Sequence, residues 1–368
     1  MPSGHWRTLE PGKSDLRPGG YPALALTASG PTFQHSRPEA SWRRRSLILI
    51  ALVLVLGIAY GVSHGGHRSP TAPAAARQVA RPARPTTLVA KVTGRLGSPV
   101  QDPATATDGS GSTLLIGGLS AADVSVGGIE ATDGTSAHVA GTLPAPLHDA
   151  AATAIGGQVY FFGGGDTGSS DQILRVTPGS APAAVGHLPA AASDVAAATI
   201  GTTAYIVGGY TGTTPLTTIV AWTPGAGARV VGRLPHPLRY AAVAAAGGKL
   251  VIAGGTSGVD ATSDVYLFDP SSAAVRRIAV LPRPLTHAGA AALGSVVYVI
   301  GGRGSTLTSQ TADVLAVDPA SGSVRPAGRL PVALSDAGVG VAGGRIVVAG
   351  GRDPQGQVHS QILTLTPR

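Results

Sequence analysis

The chain repeats itself. A short apolar run closed by a Gly-Gly pair recurs six times: LLIGG (Gly117, Gly118), YFFGG (Gly163, Gly164), YIVGG (Gly208, Gly209), VIAGG (Gly254, Gly255), YVIGG (Gly301, Gly302) and VVAGG (Gly350, Gly351). Successive pairs lie 46, 45, 46, 47 and 49 residues apart. A second marker keeps the same beat, with GTLP at Gly141, GHLP at Gly186, GRLP at Gly232, AVLP at Ala279, GRLP at Gly328 and a sixth copy, GRLG, at Gly94. Two independent markers in phase define a tandem repeat, in which each unit buries its apolar faces against its neighbours.

Each unit reads as four strands. A run of small residues follows Leu-Pro (AAATAI, VAAATI, AAVAAA), then a Gly-rich turn, then the apolar run ending in Gly-Gly. A third strand follows (ILRV, IVAW, VYLF, VLAV, ILTL) and stops at Thr177-Pro178, Thr223-Pro224, Asp269-Pro270, Asp318-Pro319 or Thr366-Pro367. Pro with Gly, Ser or Ala behind it is turn chemistry. A short fourth strand leads back to the marker. Helical periodicity is absent from this region. Four short strands per unit in six units predict an all-β, six-bladed β-propeller over residues 87–368. Small residues in the first strand suit positions crowded round a central axis, and Gly-Gly suits a sharp bend at positive φ. The sixth unit has no fourth strand of its own, whereas Leu88–Val92 followed by Gly94-Arg95-Leu96 matches one. Residues 88–92 are therefore expected to pair with Ile362–Leu365 and close the ring, which removes two open edges.

The six Gly-Gly pairs, a Tyr three residues before the first Gly (Tyr160, Tyr205, Tyr298) and the Asp264-Val-Tyr266 third strand make residues 87–368 resemble the kelch-repeat propellers. The chain departs from that pattern in two ways. No blade has the usual fourth-strand Trp, and Leu114, Val251 and Val347 stand at the Tyr position elsewhere. The resemblance implies a binding scaffold. Copper-radical oxidases share the layout but need a Cys, and this chain has none. The Asp-box of sialidases does not occur.

The absence of Cys also removes disulfides and zinc–thiolate sites. The formal charge of +8 suggests nucleic acid until its placement is traced. Residues 1–45 carry seven basic groups against three acids, residues 63–86 carry four against none, and residues 87–368 balance 16 against 16. A nucleic-acid surface needs its excess on the folded domain, so no nucleic-acid partner is expected. The excess instead flanks Ser46–Val62, an uncharged apolar run of 17 residues. That length just reaches across a bilayer core. With Arg43-Arg44-Arg45 abutting one end, the charge bias predicts a single-pass anchor at 46–62, with the N-terminus cytoplasmic and the propeller outside. A cleaved signal peptide is the rival reading, but the run is longer than a usual apolar segment of one. Residues 1–45 read as a disordered cytoplasmic tail and 63–86 as a Pro/Ala-rich stalk.

One position of the repeat is more polar than its surroundings. Four and five residues beyond the last residue of each marker stand Gln101-Asp102, His148-Asp149, Ser193-Asp194, Arg239-Tyr240, Thr286-His287 and Ser335-Asp336. Six-fold repetition would set Asp102, Asp149, Asp194, Tyr240, His287 and Asp336 in a ring at one mouth of the channel, suited to a cation, a sugar or a basic peptide group. Asp at a strand start also suits a local role, accepting from nearby backbone N–H groups. The loops after Gly-Gly, with Tyr210, Arg303, Arg352, Asp166, Thr256 and Asp353, differ between blades on the same face and are natural places for specificity. Gly163-x-Gly165-x-x-Gly168 imitates a dinucleotide fingerprint, but a strand follows where a helix is required. No cofactor is expected, and metal use stays open. The expected function is a membrane-anchored, monomeric binding module for a protein, glycan or envelope ligand. The alternative is a hydrolase or lyase using the Asp/His ring.

Overall fold

The computed structural model of the protein describes residues 86–368. The tail, the span at 46–62 and nearly all of the stalk lie outside the described residues. Those described form 24 strands and no helix. They assemble six antiparallel sheets of four strands, five of them made of consecutive strands. The innermost strands are Ala104–Thr107, Ala151–Ile155, Ala196–Ile200, Ala242–Ala246, Gly289–Leu293 and Gly338–Ala342, in blades 1 to 6. Small side chains are obligatory there. A Cβ on Gly338 would meet Thr105 Oγ1 of the neighbouring blade at 2.4 Å.

The outer strand of blade 6 is Leu88–Arg95, antiparallel to Gln361–Pro367, with Leu88 opposite Pro367 and Arg95 opposite Gln361. The strand runs three residues past Val92. It does so through a bulge between Val92 and Gly94, which the other five blades repeat where their third and fourth strands pair. The bulge gives the second sequence marker its physical meaning. It turns the chain so that the marker Leu drops inward: Leu96, Leu143, Leu188, Leu234, Leu281 and Leu330 are all buried. Each donates its N–H to a backbone carbonyl just before the third strand, as Leu188 does to Asp171 at 2.7 Å.

The core is a set of apolar layers between adjacent sheets. Between blades 1 and 2, Leu114, Ile116, Ile129 and Ala131 meet Val159, Phe161, Leu174 and Val176. Between blades 2 and 3, Trp222 from the third strand of blade 3 sits edge-on to Tyr160, with centroids 4.8 Å apart, and to Phe162. Tyr205 meets Phe268 of blade 4 in the same relation. Tyr298 instead holds the closing strand: its hydroxyl donates to the Thr86 carbonyl at 3.1 Å and accepts from the Thr86 N–H at 3.2 Å.

Candidate functional site at the channel mouth

The first sequence marker builds the site. In each blade the second Gly of the pair donates its N–H to a carbonyl of the next blade, and that carbonyl lies two residues before the ring position. The six bonds are Gly118 to Leu147, Gly164 to Ala192, Gly209 to Leu238, Gly255 to Leu285, Gly302 to Leu334 and Gly351 to Val100, each 2.8–2.9 Å. The first Gly of the pair makes room for the clamp. Gly163 has φ 66°, and a Cβ there would stand 2.2 Å from the Ala192 oxygen. The residue after each pair bridges back to the residue before the ring position in its own blade, as Tyr210 does to Ser193 and Arg303 to Thr286.

Held this way, all six ring residues adopt the left-handed conformation: Asp102 (φ 54°), Asp149 (55°), Asp194 (57°), Tyr240 (52°), His287 (54°) and Asp336 (62°). Outside glycine this region is sparsely populated, Asp tolerating it best and bulky residues least. Their backbones then link tangentially. Asp194 N–H donates to Asp149 O, Tyr240 to Asp194, His287 to Tyr240, Asp336 to His287 and Asp102 to Asp336, at 2.7–3.1 Å. Five of the six ring N–H groups are spent this way, and none of the four carboxylates accepts from the backbone among the described residues. The side chains are turned to the channel instead and line a cavity of about 170 Å³.

The mouth has two unlike halves. Blades 3 to 5 supply a stacked column. The Arg239 guanidinium lies 4.2 Å over the Tyr210 ring and 5.3 Å from the Tyr240 ring, and His287 stacks on Tyr240. Arg303 donates to His287 Nε2 at 3.1 Å, so that nitrogen is the acceptor and Nδ1 carries the proton, 3.1 Å from Thr286 Oγ1. Blades 6, 1, 2 and 3 supply the carboxyls. Asp194 is ion-paired with Arg239, Tyr240 donates to Asp149 Oδ2 at 3.0 Å, and the Ser335 hydroxyl donates to Asp336 Oδ2. His148 Nε2 lies 3.6 Å from Asp149.

Burial dominates the electrostatics, because a desolvated group favours its neutral form. Burial, then repulsion from Asp336 and Asp149, pushes the Asp102 carboxyl well above the usual range. Burial and the neighbouring Asp194 push Asp149 up to about 8, against the hydrogen bond from Tyr240. Burial holds His287 down to about 4, although Asp336 pulls the other way. Near neutral pH the mouth therefore presents protonated acids beside a neutral imidazole.

Of the loop residues, Tyr210 and Arg303 join this site. Arg352 turns away and bonds Asp123 Oδ1 of blade 1 at 3.1 Å. Asp353 is held by His359 and by the N–H groups of its own loop, and Thr256 donates within its own loop. Among the described residues no group of three or more His, Cys, Asp or Glu could hold a metal ion. Arg239 is the participant that the ring pattern alone does not single out. Its signal is positional, since it occupies the same step of the repeat as Gln101, His148, Ser193, Thr286 and Ser335.

A six-bladed propeller with a polar channel mouth is the class this geometry defines. A family profile for the kelch motif matches residues 237–279, from the ring segment of blade 4 into its outer strand. The solved structure of YjhT is similar, with a TM-score of 0.64 and 15% sequence identity over 75% of this chain and 97% of that chain. That likeness is one of fold. No curated protein matches the sequence. The kelch resemblance seen in the repeats thus rests on one blade's sequence match and on the shared six-bladed architecture.

Proposed function

We propose that the chain is a membrane-anchored, extracytoplasmic binding module that engages its ligand at the channel mouth lined by the six ring residues. One observation carries the reading. Six non-glycine residues, one from each blade, are held in a strained backbone conformation with their side chains turned into one cavity. Such strain persists only where the surroundings enforce it, and it clusters at functional sites. The ring residues and flanking loops also differ from blade to blade on a repeating frame, which is how a symmetric scaffold acquires a specific face. Kelch propellers commonly mediate protein interaction, in line with the match in blade 4. The apolar run at 46–62 and its basic flank support the anchor and its direction.

Affinity capture with the full chain in detergent tests this reading. Asp149→Asn and Arg303→Gln are expected to lose a partner that the wild type and the outer-strand variant Arg276→Gln retain. Retention by all four would move the binding surface elsewhere. A hydrolase or lyase reading draws on the displaced protonation of Asp149 and His287, a feature of acid–base sites. It needs His287 Nε2 free to take a proton, whereas Arg303 donates into that nitrogen. Binding is the better-supported function.

A further inference from the structure

We propose that the acidic half of the channel mouth is a receptor for a primary ammonium group. The inference rests on the reading of the mouth as a binding site and specifies what enters it.

The carboxyls work in pairs across neighbouring blades. Asp102 and Asp336 are joined through the backbone, as are Asp149 and Asp194, and all four line the same cavity, so the charge of each bears on its neighbour. A neighbouring carboxyl disfavours the ionised form of Asp102 and of Asp149, and burial adds to that. The surrounding groups leave one demand unmet. Asp336 lines the cavity with its side chain 7% exposed, and its buried Oδ1 has no donor among the described residues. His287 Nε2 lies 3.9 Å away but is already the acceptor for Arg303. Arg239 is committed to Asp194, Ser335 serves Asp336 Oδ2, and Tyr240 serves Asp149 Oδ2. Among the described residues only an acid proton is left to serve Asp336 Oδ1.

A primary ammonium fits that demand better than the proton does. It presents three donors and no acceptor, enough to serve Asp336 Oδ1 together with the two carboxyls that burial keeps protonated. Its positive charge would ionise them, so the protons leave to solvent as the cation enters. The cavity of about 170 Å³ has room for such a group on a slender chain. A bare metal ion would need three or more ligands already gathered, and no such group is present among the described residues. The groups facing the four carboxyls are His148, Arg239, Tyr240, His287 and Arg303. Burial holds both imidazoles below their ordinary range, and Tyr240 stays protonated. The protons released therefore come from the acids. Because Asp149 keeps its proton up to about 8, affinity should rise with pH through that region while the alkyl ammonium remains charged.

The test is calorimetric titration of the full chain in detergent with n-butylammonium, and with n-butanol and sodium butyrate as size-matched controls. Titrations at pH 6 and pH 9, in two buffers of different ionisation enthalpy, count the protons. Butylammonium should bind at least about tenfold more tightly at pH 9 and release about two protons near pH 7, and neither control should bind. Asp336→Asn and Asp336→Ser should each weaken binding tenfold or more, with circular dichroism and melting verifying the fold. Nα-acetyl-lysinamide and alaninamide then separate a side-chain ammonium from a terminal one. Absent binding by the folded wild type, equal binding of n-butanol, binding without proton release, or uptake of Ca²⁺ in place of the ammonium would each overturn the inference. If a partner is still captured by the wild type and lost from Asp149→Asn in those cases, the mouth remains the binding face and only its ligand chemistry is wrong.

Discussion

The rings of Tyr240 and His287 lie face to face, with centroids 3.7 Å apart and planes 21° from parallel. The two residues belong to different blades, and the His287 N–H also donates to the Tyr240 carbonyl at 3.1 Å. Backbone and side chain thus join blades 4 and 5 at one point, and the contact suits an uncharged imidazole.

Acid should therefore attack this joint. Burial holds the His287 pKa at about 4, below its ordinary 6.5. A depressed pKa means that the native state binds fewer protons than the unfolded state. The stability gained is whole above 6.5 and is lost as pH falls towards 4. Denaturant titrations between pH 7 and pH 4 should show wild-type stability falling by up to about 1.4 kcal/mol per pH unit from this group, with a shallower fall in His287→Gln. Parallel curves would refute the buried neutral ring.

Asp149 should act in the opposite direction. Its pKa is raised to about 8 from 3.8, so its contribution is complete below 3.8 and is lost as pH rises through 8. Asp149→Asn keeps an acceptor for Tyr240 and cannot ionise. At pH 9 it should be more stable than wild type by at least about 1 kcal/mol, and at pH 4 the two should melt together.

The Gly-Gly clamp can be tested by contrast. Gly163→Ala puts a Cβ 2.2 Å from the Ala192 oxygen, whereas Gly156→Ala, at a similar φ of 59°, meets nothing within 4 Å. The second should cost about 1–2 kcal/mol, for backbone conformation alone. The first should cost about 2 kcal/mol more and disturb the Asp194 ring position in amide spectra.

Trp222 is 2% exposed and packs on two aromatic rings of the preceding blade. Trp222→Ala should destabilise by about 3–5 kcal/mol in equilibrium unfolding. Tyr298→Phe removes the hydroxyl that holds Thr86 and should cost about 1 kcal/mol. Hydrogen exchange should localise that loss to Leu88–Arg95 and its partner strand.

Much of this fold is written in two short markers. Gly-Gly is legible because no other residue permits both its φ and the approach of a neighbouring carbonyl, and Leu-Pro because a bulge must turn one Leu inward in every blade. The ring position is legible as a polar beat in phase with both. Its conformation is harder to read. Asp hints at positive φ in four blades, but Tyr240 and His287 adopt it only because the flanking clamps impose it. The pairing of Arg239 with Asp194 and its stacking on Tyr210 join blades 3 and 4, and residue spacing within one repeat carries no record of a contact between two. Arg352 shows the converse. Its loop position matches that of Arg303, yet Asp123 of the adjacent blade draws it off the site.

The tangential backbone bonds have an electrical consequence. Peptide dipoles laid head to tail in a line add up, which is why a helix end attracts ions. Here five of them run head to tail round a circle, so their in-plane components largely cancel and the bonds build no helix-like dipole at the opening. The sign of whatever the mouth attracts is left to the acids and arginines of its side chains.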